Sequence, residues 1–140
     1  MPARSNTDAE RVLKAVRDQP SVRVRVAVSD IEGVLRGKYM HKEKLVSAAD
    51  GGFGFCNVIF GWDATDVPYD NTVYTGWHTG YPDALARIDL ATYRRMPWDD
   101  NVAFFLADFV DEGFVVVKCV RIVSCMRRRR CVLNEMHLPS

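Results

Sequence analysis

The stretch that most constrains the fold lies near the amino terminus. In residues 22–26 valine alternates with arginine, and a period of two is typical of a β-strand with one exposed face. The next five residues, 29–33, read Ser-Asp-Ile-Glu-Gly and have the composition of a turn, in which Gly33 can adopt a positive φ. Residues 34–40 have the pattern of a second strand, so a β-hairpin is predicted here.

The remaining elements follow from periodicity and from the positions of glycine and proline. In chain order we predict a helix at 7–19, the hairpin, a helix at 42–49, a buried strand at 53–60, a loop at 61–82, a short strand at 85–92 and a central strand at 102–109. This order predicts an α+β fold, with a mixed sheet and one or two packed helices. A loop of this length inside a compact domain is usually functional or mobile.

Composition limits the classes of function. The chain has 140 residues, of which 48% are hydrophobic and 26% charged, with a formal net charge of +1, so we expect one globular domain. The cysteines form no Cys-x-x-Cys pair and match no common zinc spacing. We see no signal peptide and no apolar run of about 20 residues, which favours a cytoplasmic protein without a membrane partner.

The carboxyl-terminal residues differ from the rest. Between Lys118 and Arg130 there are six basic residues and no acidic one. We therefore divide the chain into a helical segment at 1–20, a domain at 21–113 and an atypical basic tail at 114–140. Such a tail could bind nucleic acid through phosphate contacts. No aromatic residue lies among its arginines, so a small nucleic-acid-binding protein is the weaker alternative.

Three segments in order resemble the amino-terminal β-grasp domain of the glutamine synthetase family. The first, residues 28–38, reads Val-Ser-Asp-Ile-Glu-Gly-Val-Leu-Arg-Gly-Lys. The second is residues 80–83, Gly-Tyr-Pro-Asp, followed by Asp89 and Thr92. The third, Met-Pro-Trp at 96–98 before the apolar strand, looks like the members that ligate amines, including γ-glutamylpolyamine synthetase-like proteins. The resemblance covers roughly residues 20 to 113.

This resemblance implies an ATP- and magnesium-dependent ligase. Such enzymes phosphorylate the γ-carboxylate of glutamate and let ammonia or an amine attack the acyl phosphate. They assemble as rings, in which the amino-terminal domain of one subunit closes the active site of its neighbour. An acidic loop of that domain helps to bind and deprotonate the ammonium, because a carboxylate attracts a cationic amine and can accept its proton.

The resemblance also names candidate site residues. Asp63 is the first candidate for the acidic loop, because it follows the strand predicted at 53–60. Family members that use ammonia often carry Asp-Gly-Ser-Ser there, whereas residues 61–66 read Gly-Trp-Asp-Ala-Thr-Asp, which is compatible with an amine. Asp66 is the fallback, and Asp83 matches a second aspartate beside the loop. The structural alternatives are solvated loop acids at 63 and 66 and a turn former at 83.

Other matched positions are expected to have structural roles. We expect Asp89 and Thr92 to organise the backbone and Trp98 to pack in the core. Arg36 and Lys38 could bind phosphate, but on an alternating strand they more often belong to an exposed polar face.

The family's catalytic domain is not recognisable in this chain. After Asp111 the acidic residues are Glu112 and Glu135, whereas Mg²⁺ needs several oxygen ligands, and there is no glycine-rich phosphate loop. We therefore predict no cofactor in this chain; ATP and Mg²⁺ belong to the full-length family. One hypothesis for the tail is a shift of reading frame near residues 113 to 125, which would have altered the start of the catalytic domain.

The predicted function follows from these points. The chain is expected to be the amino-terminal domain of a glutamate–ammonia or glutamate–amine ligase, inactive alone, and to contribute its acidic loop to a site between subunits. Its expected partners are the catalytic domain or neighbouring subunits of a glutamine synthetase-like ring. The alternative is a non-catalytic interaction module that docks on a full-length paralogue.

Overall fold

The computed structural model describes residues 6–110, which form two helices and a five-stranded sheet. The elements are α1 (Asn6–Asp18), β1 (Arg23–Ser29), β2 (Leu35–His41), α2 (Lys42–Gly51), β3 (Phe53–Cys56), a 3₁₀ turn (Asn57–Phe60), β4 (Asp83–Met96) and β5 (Val102–Phe109). The strand order is β2-β1-β5-β4-β3. Because β1 and β5 are parallel and the other pairs antiparallel, the sheet is mixed, and the α+β class is confirmed.

The core forms on the helix-covered face of β1 and β5. On β1 the valines at positions 24, 26 and 28 are buried, and on β5 Phe105 and Phe109 are buried with them. Burying one such side chain contributes roughly 1.5–3 kcal/mol, so these two strands supply much of the stability. The parallel pairing sets Val26 opposite Phe105, and the prediction of a central strand at 102–109 is confirmed.

Both helices have local reasons for their ends. The chain after α1 turns at Pro20, and buried Gln19 joins the helix to the sheet by donating to Arg23 O (2.9 Å) and accepting from Ala103 N (3.3 Å). At the start of α2 the His41 ring accepts a hydrogen bond from Glu43 N. The helix ends at Gly52, whose φ of 79° is easily adopted only by glycine.

Two strand predictions need correction. The predicted strand at 53–60 is wrong in its second half, because β3 ends at Cys56 and lies at a sheet edge rather than in the interior. Asn57 N still donates to Pro82 O (3.0 Å), which continues the β3–β4 register by one residue, and the buried Asn57 side chain accepts from Thr75 Oγ1 of the long loop (2.7 Å). β4 spans residues 83–96 instead of 85–92, because β5 pairs with it on both sides of an irregularity.

That irregularity in β4 is organised by Asp89 and Thr92. The Thr92 hydroxyl donates to Asp89 O (2.6 Å) and accepts from Leu106 N (2.7 Å), and the Asp89 carboxylate accepts from Ala91 N. Both side chains are buried. The expectation that these two residues organise the backbone is confirmed.

The turn between β4 and β5 folds back over β2. Asp100 and Asn101 both have positive φ, and the Tyr39 hydroxyl donates to the Asp99 carboxylate (2.5 Å). Trp98 in this turn is 80% exposed, so the expectation that it packs in the core is wrong. Within residues 6–110 no helix is long and apolar enough to cross a membrane.

The predicted basic tail at 114–140 lies outside the described residues.

Candidate functional site

The loop between the 3₁₀ turn and β4 begins with a compact reversal of the chain. Trp62 and Pro68 form an isolated antiparallel bridge. Tyr69 N donates to Gly61 O (2.7 Å) and Asp63 N donates to Val67 O (3.0 Å). We call residues 61–69 the acidic loop, and its backbone is held by its own hydrogen bonds.

Asp63 organises the tip of the acidic loop. Its Oδ1 accepts from Thr65 N (2.8 Å), Thr65 Oγ1 (2.7 Å) and Val67 N (3.0 Å). The hydrogen bond from the Thr65 hydroxyl is the largest of the effects that lower the pKa of this carboxyl, followed by the Val67 amide. These bonds all use Oδ1, so the other oxygen remains available to a cation.

Arg36 joins the acidic loop to the first hairpin. From β2 its Nε donates to Asp30 Oδ2 (2.8 Å), its Nη1 donates to the Asp66 carboxylate and its Nη2 to Asp63 O (3.3 Å). The guanidinium lies 4.8 Å from the centre of the Trp62 ring. Its side chain is only 16% exposed, so the expectation of an exposed polar face is wrong for Arg36.

A second connection runs through Glu32, a residue that sequence reasoning did not single out for function. Its two carboxylate oxygens accept from Ala64 N (3.1 Å) and from the Tyr69 hydroxyl (3.2 Å). The pKa of Tyr69 is raised, first by its removal from water and then by this hydrogen bond. The turn of the hairpin therefore holds the acidic loop at two points.

Together these residues form an acidic cluster, defined as Asp30, Glu32, Arg36, Asp63 and Asp66. The cluster contains four carboxylates and one guanidinium, so it is negative overall at neutral pH. Asp30 is fully buried, whereas the Asp66 side chain is 60% exposed. An exposed surface of this charge attracts cations such as alkylammonium ions.

Asp83 is not part of the acidic cluster. It starts β4 opposite Cys56, and its carboxylate lies against Gly54, where an added Cβ would be 2.5 Å from Asp83 Oδ2. Among the described residues, no hydrogen bond or ion pair joins it to Asp63 or Asp66. The structure thus brings Asp63 and Asp66 together and leaves Asp83 at the sheet edge.

Lys38, on the edge strand at the other end of the sheet, also contacts Gly54. Its Nζ donates to Gly54 O (2.9 Å) and lies about 5 Å above the rings of Phe53 and Phe55. Since β2 and β3 are opposite ends of the strand order, the sheet curls until its two edges meet at this lysine. Lys38 is consequently engaged by protein groups rather than by solvent alone.

The second half of the long loop exposes apolar side chains. Val73 is 90% exposed, Trp77 82% and Tyr74 64%. Buried Thr75, between them, anchors the segment to Asn57. We call residues 73–77 the apolar loop segment, and it leaves a surface suited to contact with another protein.

No His, Cys, Asp or Glu group of three or more within residues 6–110 is placed to hold a metal ion. The acidic cluster is explained by its own arginine and by backbone donors.

Comparisons with known proteins give a consistent set of relatives. No protein-family model matches the chain. Over 99 residues it is 52% identical to type-1 glutamine synthetase 2 of Dictyostelium discoideum, a match that covers 71% of this chain and 19% of that protein. Over 86 residues it is 40% identical to the glutamate–isopropylamine ligase of a Pseudomonas species, covering 61% of this chain and 19% of the ligase.

A solved structure agrees in fold. The glutamine synthetase of Plasmodium falciparum matches 87% of this chain with a TM-score of 0.55, at 12% identity and over 22% of its own length. This likeness shows a shared fold, which confirms the β-grasp-like sheet. The chain spans about a fifth of the length of the relatives that it matches.

Proposed function

Because this chain belongs to the glutamine synthetase family through the amino-terminal part that its relatives share, we propose that it acts as the amino-terminal domain of an ATP-dependent glutamate–ammonia or glutamate–amine ligase. In this proposal it works in the cytoplasm and contributes the acidic loop to an active site shared between subunits. The observation that carries the proposal is that the Asp63 carboxylate is held by hydrogen bonds to one of its two oxygens and lies in a cluster that is negative overall.

The proposed chemistry gives this chain a limited part. ATP and Mg²⁺ are bound by a catalytic domain, which activates the γ-carboxylate of glutamate as an acyl phosphate. The acidic loop attracts the cationic amine and places it near that carbonyl carbon. Closure by the loop also keeps water away from the acyl phosphate, which water would otherwise hydrolyse.

A chimera tests the proposal. The matched region of the Dictyostelium relative is replaced by that of this chain, and glutamate-dependent phosphate release is measured with ammonium and with isopropylamine. We expect activity in the chimera and none from the purified 140-residue chain alone. A chimera that folds and assembles but has no activity with any amine would count against the proposal.

Asp63→Asn in that chimera tests the residue itself. Asparagine keeps the Oδ1 acceptor and removes the charge, so the KM for the amine should rise about tenfold to a hundredfold, as expected for the loss of a charged hydrogen bond. The KM for glutamate should stay unchanged. Asp70→Asn is the matched control, because Asp70 is an exposed acid immediately after the acidic loop. Equal kinetics in both variants would exclude the role of Asp63.

A second candidate function is a non-catalytic module that docks on a full-length paralogue. The exposed side chains of the apolar loop segment favour it. Co-expression with the Dictyostelium relative distinguishes the two proposals. A mixed assembly with lowered activity supports the docking module, whereas failure to co-purify removes it.

A further inference from the structure

Among the described residues, only Arg36 has a side chain that hydrogen-bonds both the first hairpin and the backbone of the acidic loop. Its guanidinium contacts the Asp30 and Asp66 carboxylates and the Asp63 carbonyl. The contacts to positions 63 and 66 bracket the turn that carries the Asp63 carboxylate. A shift of this guanidinium therefore changes both ends of that turn.

The hairpin end of this connection is rigid. The Asp30 carboxylate is fully buried, and its Oδ1 accepts from Glu32 N (3.0 Å) and Val34 N (2.8 Å). A buried carboxylate needs a compensating cation. The guanidinium of Arg36, which donates to Asp30 Oδ2, is that cation. The arginine is thus anchored on the hairpin and is not merely drawn towards the loop.

The loop end is in a conformation that needs support. Asp66 has a φ of 69°, a region that carries a conformational cost for non-glycine residues, although less for aspartate than for most. The ion pair with Arg36 and the contact with Asp63 O offset this cost. Without these two contacts the turn would relax to another conformation, and the hydrogen bonds from Thr65 and Val67 to Asp63 Oδ1 would weaken.

We infer that Arg36 is a positioning residue, which holds the acidic loop in the conformation that orients the Asp63 carboxylate. The inference that this orientation serves an incoming amine rests on the proposed function. Lysine does not replace arginine here, because one ammonium cannot reproduce a planar fork that contacts three acceptors in fixed directions. The position therefore requires arginine, and charge alone does not suffice.

Two variants of the full 140-residue chain test the inference by NMR. Arg36→Lys keeps the charge and removes the fork. Asp66→Gly keeps the Arg36–Asp30 pair and adopts a positive φ freely, so it removes only the carboxylate contact between the loop and Arg36. Arg23→Lys is the matched control, because Arg23 lies on the same hairpin with its side chain 53% exposed, and its guanidinium contacts Asp100 (3.9 Å) and the Tyr39 ring rather than the acidic loop.

In both test variants we expect hydrogen exchange at the Tyr69 amide to accelerate about tenfold to a hundredfold, as for the loss of a charged hydrogen bond, while the Phe105 amide stays protected. In Arg36→Lys the pKa of Asp63, followed through the Thr65 and Val67 amide shifts, should rise towards its ordinary value. A role in bulk stability alone would change the exchange of Phe105 together with that of Tyr69.

Unchanged Tyr69 exchange in Asp66→Gly overturns the inference, even if Arg36→Lys fails to fold. In the active chimera, Arg36→Lys should raise the KM for isopropylamine and leave that for glutamate unchanged. If the acidic loop loosens in both variants but Asp63→Asn leaves amine kinetics intact, the positioning role of Arg36 stands and the proposed role of Asp63 falls. The two failures are therefore distinguishable.

Discussion

At the scale of single residues, the Asp63 carboxyl is better suited to binding a cation than to taking its proton. Hydrogen bonds from Thr65 and Val67 lower the pKa of Asp63, and an alkylammonium has a pKa of about 10, as lysine does. Proton transfer from that cation to this carboxylate is therefore strongly unfavourable. The local chemistry favours electrostatic attraction, and it leaves the removal of the proton to another group.

The lowered pKa of Asp63 also predicts a pH dependence. A carboxyl whose folded pKa lies below its unfolded value stabilises the folded state above the unfolded pKa, and that contribution is lost as pH falls through the folded pKa. Asp63→Asn should remove this dependence. Urea unfolding at a series of pH values below its ordinary pKa of 3.8 checks it, and a difference between the two proteins that does not vary with pH would contradict the assignment.

Sequence reasoning identified some residues of the acidic cluster and misjudged others. Asp63 and Asp66 were identified through the resemblance to the family's acidic loop, which follows a strand as these residues were predicted to do. Arg36 was assigned to an exposed face because strand alternation tells which side a residue faces, and it does not tell which distant loop covers that side. The same limit explains why Glu32 was missed: its partners Ala64 and Tyr69 are more than thirty positions away.

At the scale of elements, agreement was best where the pattern was local. The hairpin, both helices and β5 have periodic patterns or glycine and proline ends, and their predicted bounds differ little from those observed. β3 and β4 were misjudged in length because pairing with a neighbour, rather than their own composition, decides where they end. Trp98 was misjudged because its apolar side chain suggested burial, whereas its place in the β4–β5 turn leaves it 80% exposed.

Two glycines test how α2 is joined to the sheet. Gly52 and Gly80 both have positive φ, but a Cβ at Gly52 would lie 2.6 Å from Ala86 O, whereas one at Gly80 meets nothing within 4 Å. Gly80→Ala carries a conformational penalty of about 1–2 kcal/mol. Gly52→Ala carries about 1–3 kcal/mol, because the ψ of −171° at Gly52 lies in a region almost restricted to glycine, and the clash adds about 1–3 kcal/mol.

Chemical denaturation measures this difference directly. Gly52→Ala should lower the urea midpoint clearly more than Gly80→Ala, with similar slopes in both. Equal midpoints would mean that the α2–β4 junction can move without loss of stability.

At the scale of the whole molecule, the apolar loop segment predicts weak self-association of the purified chain. Trp77 and Trp98 are matched in exposure, at 82% and 80%, but only Trp77 lies beside Val73 and Tyr74 in that segment. Trp77→Ser should therefore weaken the association, because it removes one of the three large exposed apolar side chains of that segment, while Trp98→Ser should change it little. Sedimentation equilibrium measures both, and equal effects would argue against a specific contact surface.

The contact between Lys38 and Gly54 has a consequence for the free ends of the sheet. An edge strand presents unpaired backbone groups that can add a strand from another molecule, and a lysine placed along an edge is a common obstacle to this. Here one ammonium from β2 occupies a carbonyl of β3, so a single charged side chain obstructs both edges at once. A chain with this feature can be kept at high concentration with less risk of joining its neighbours strand to strand.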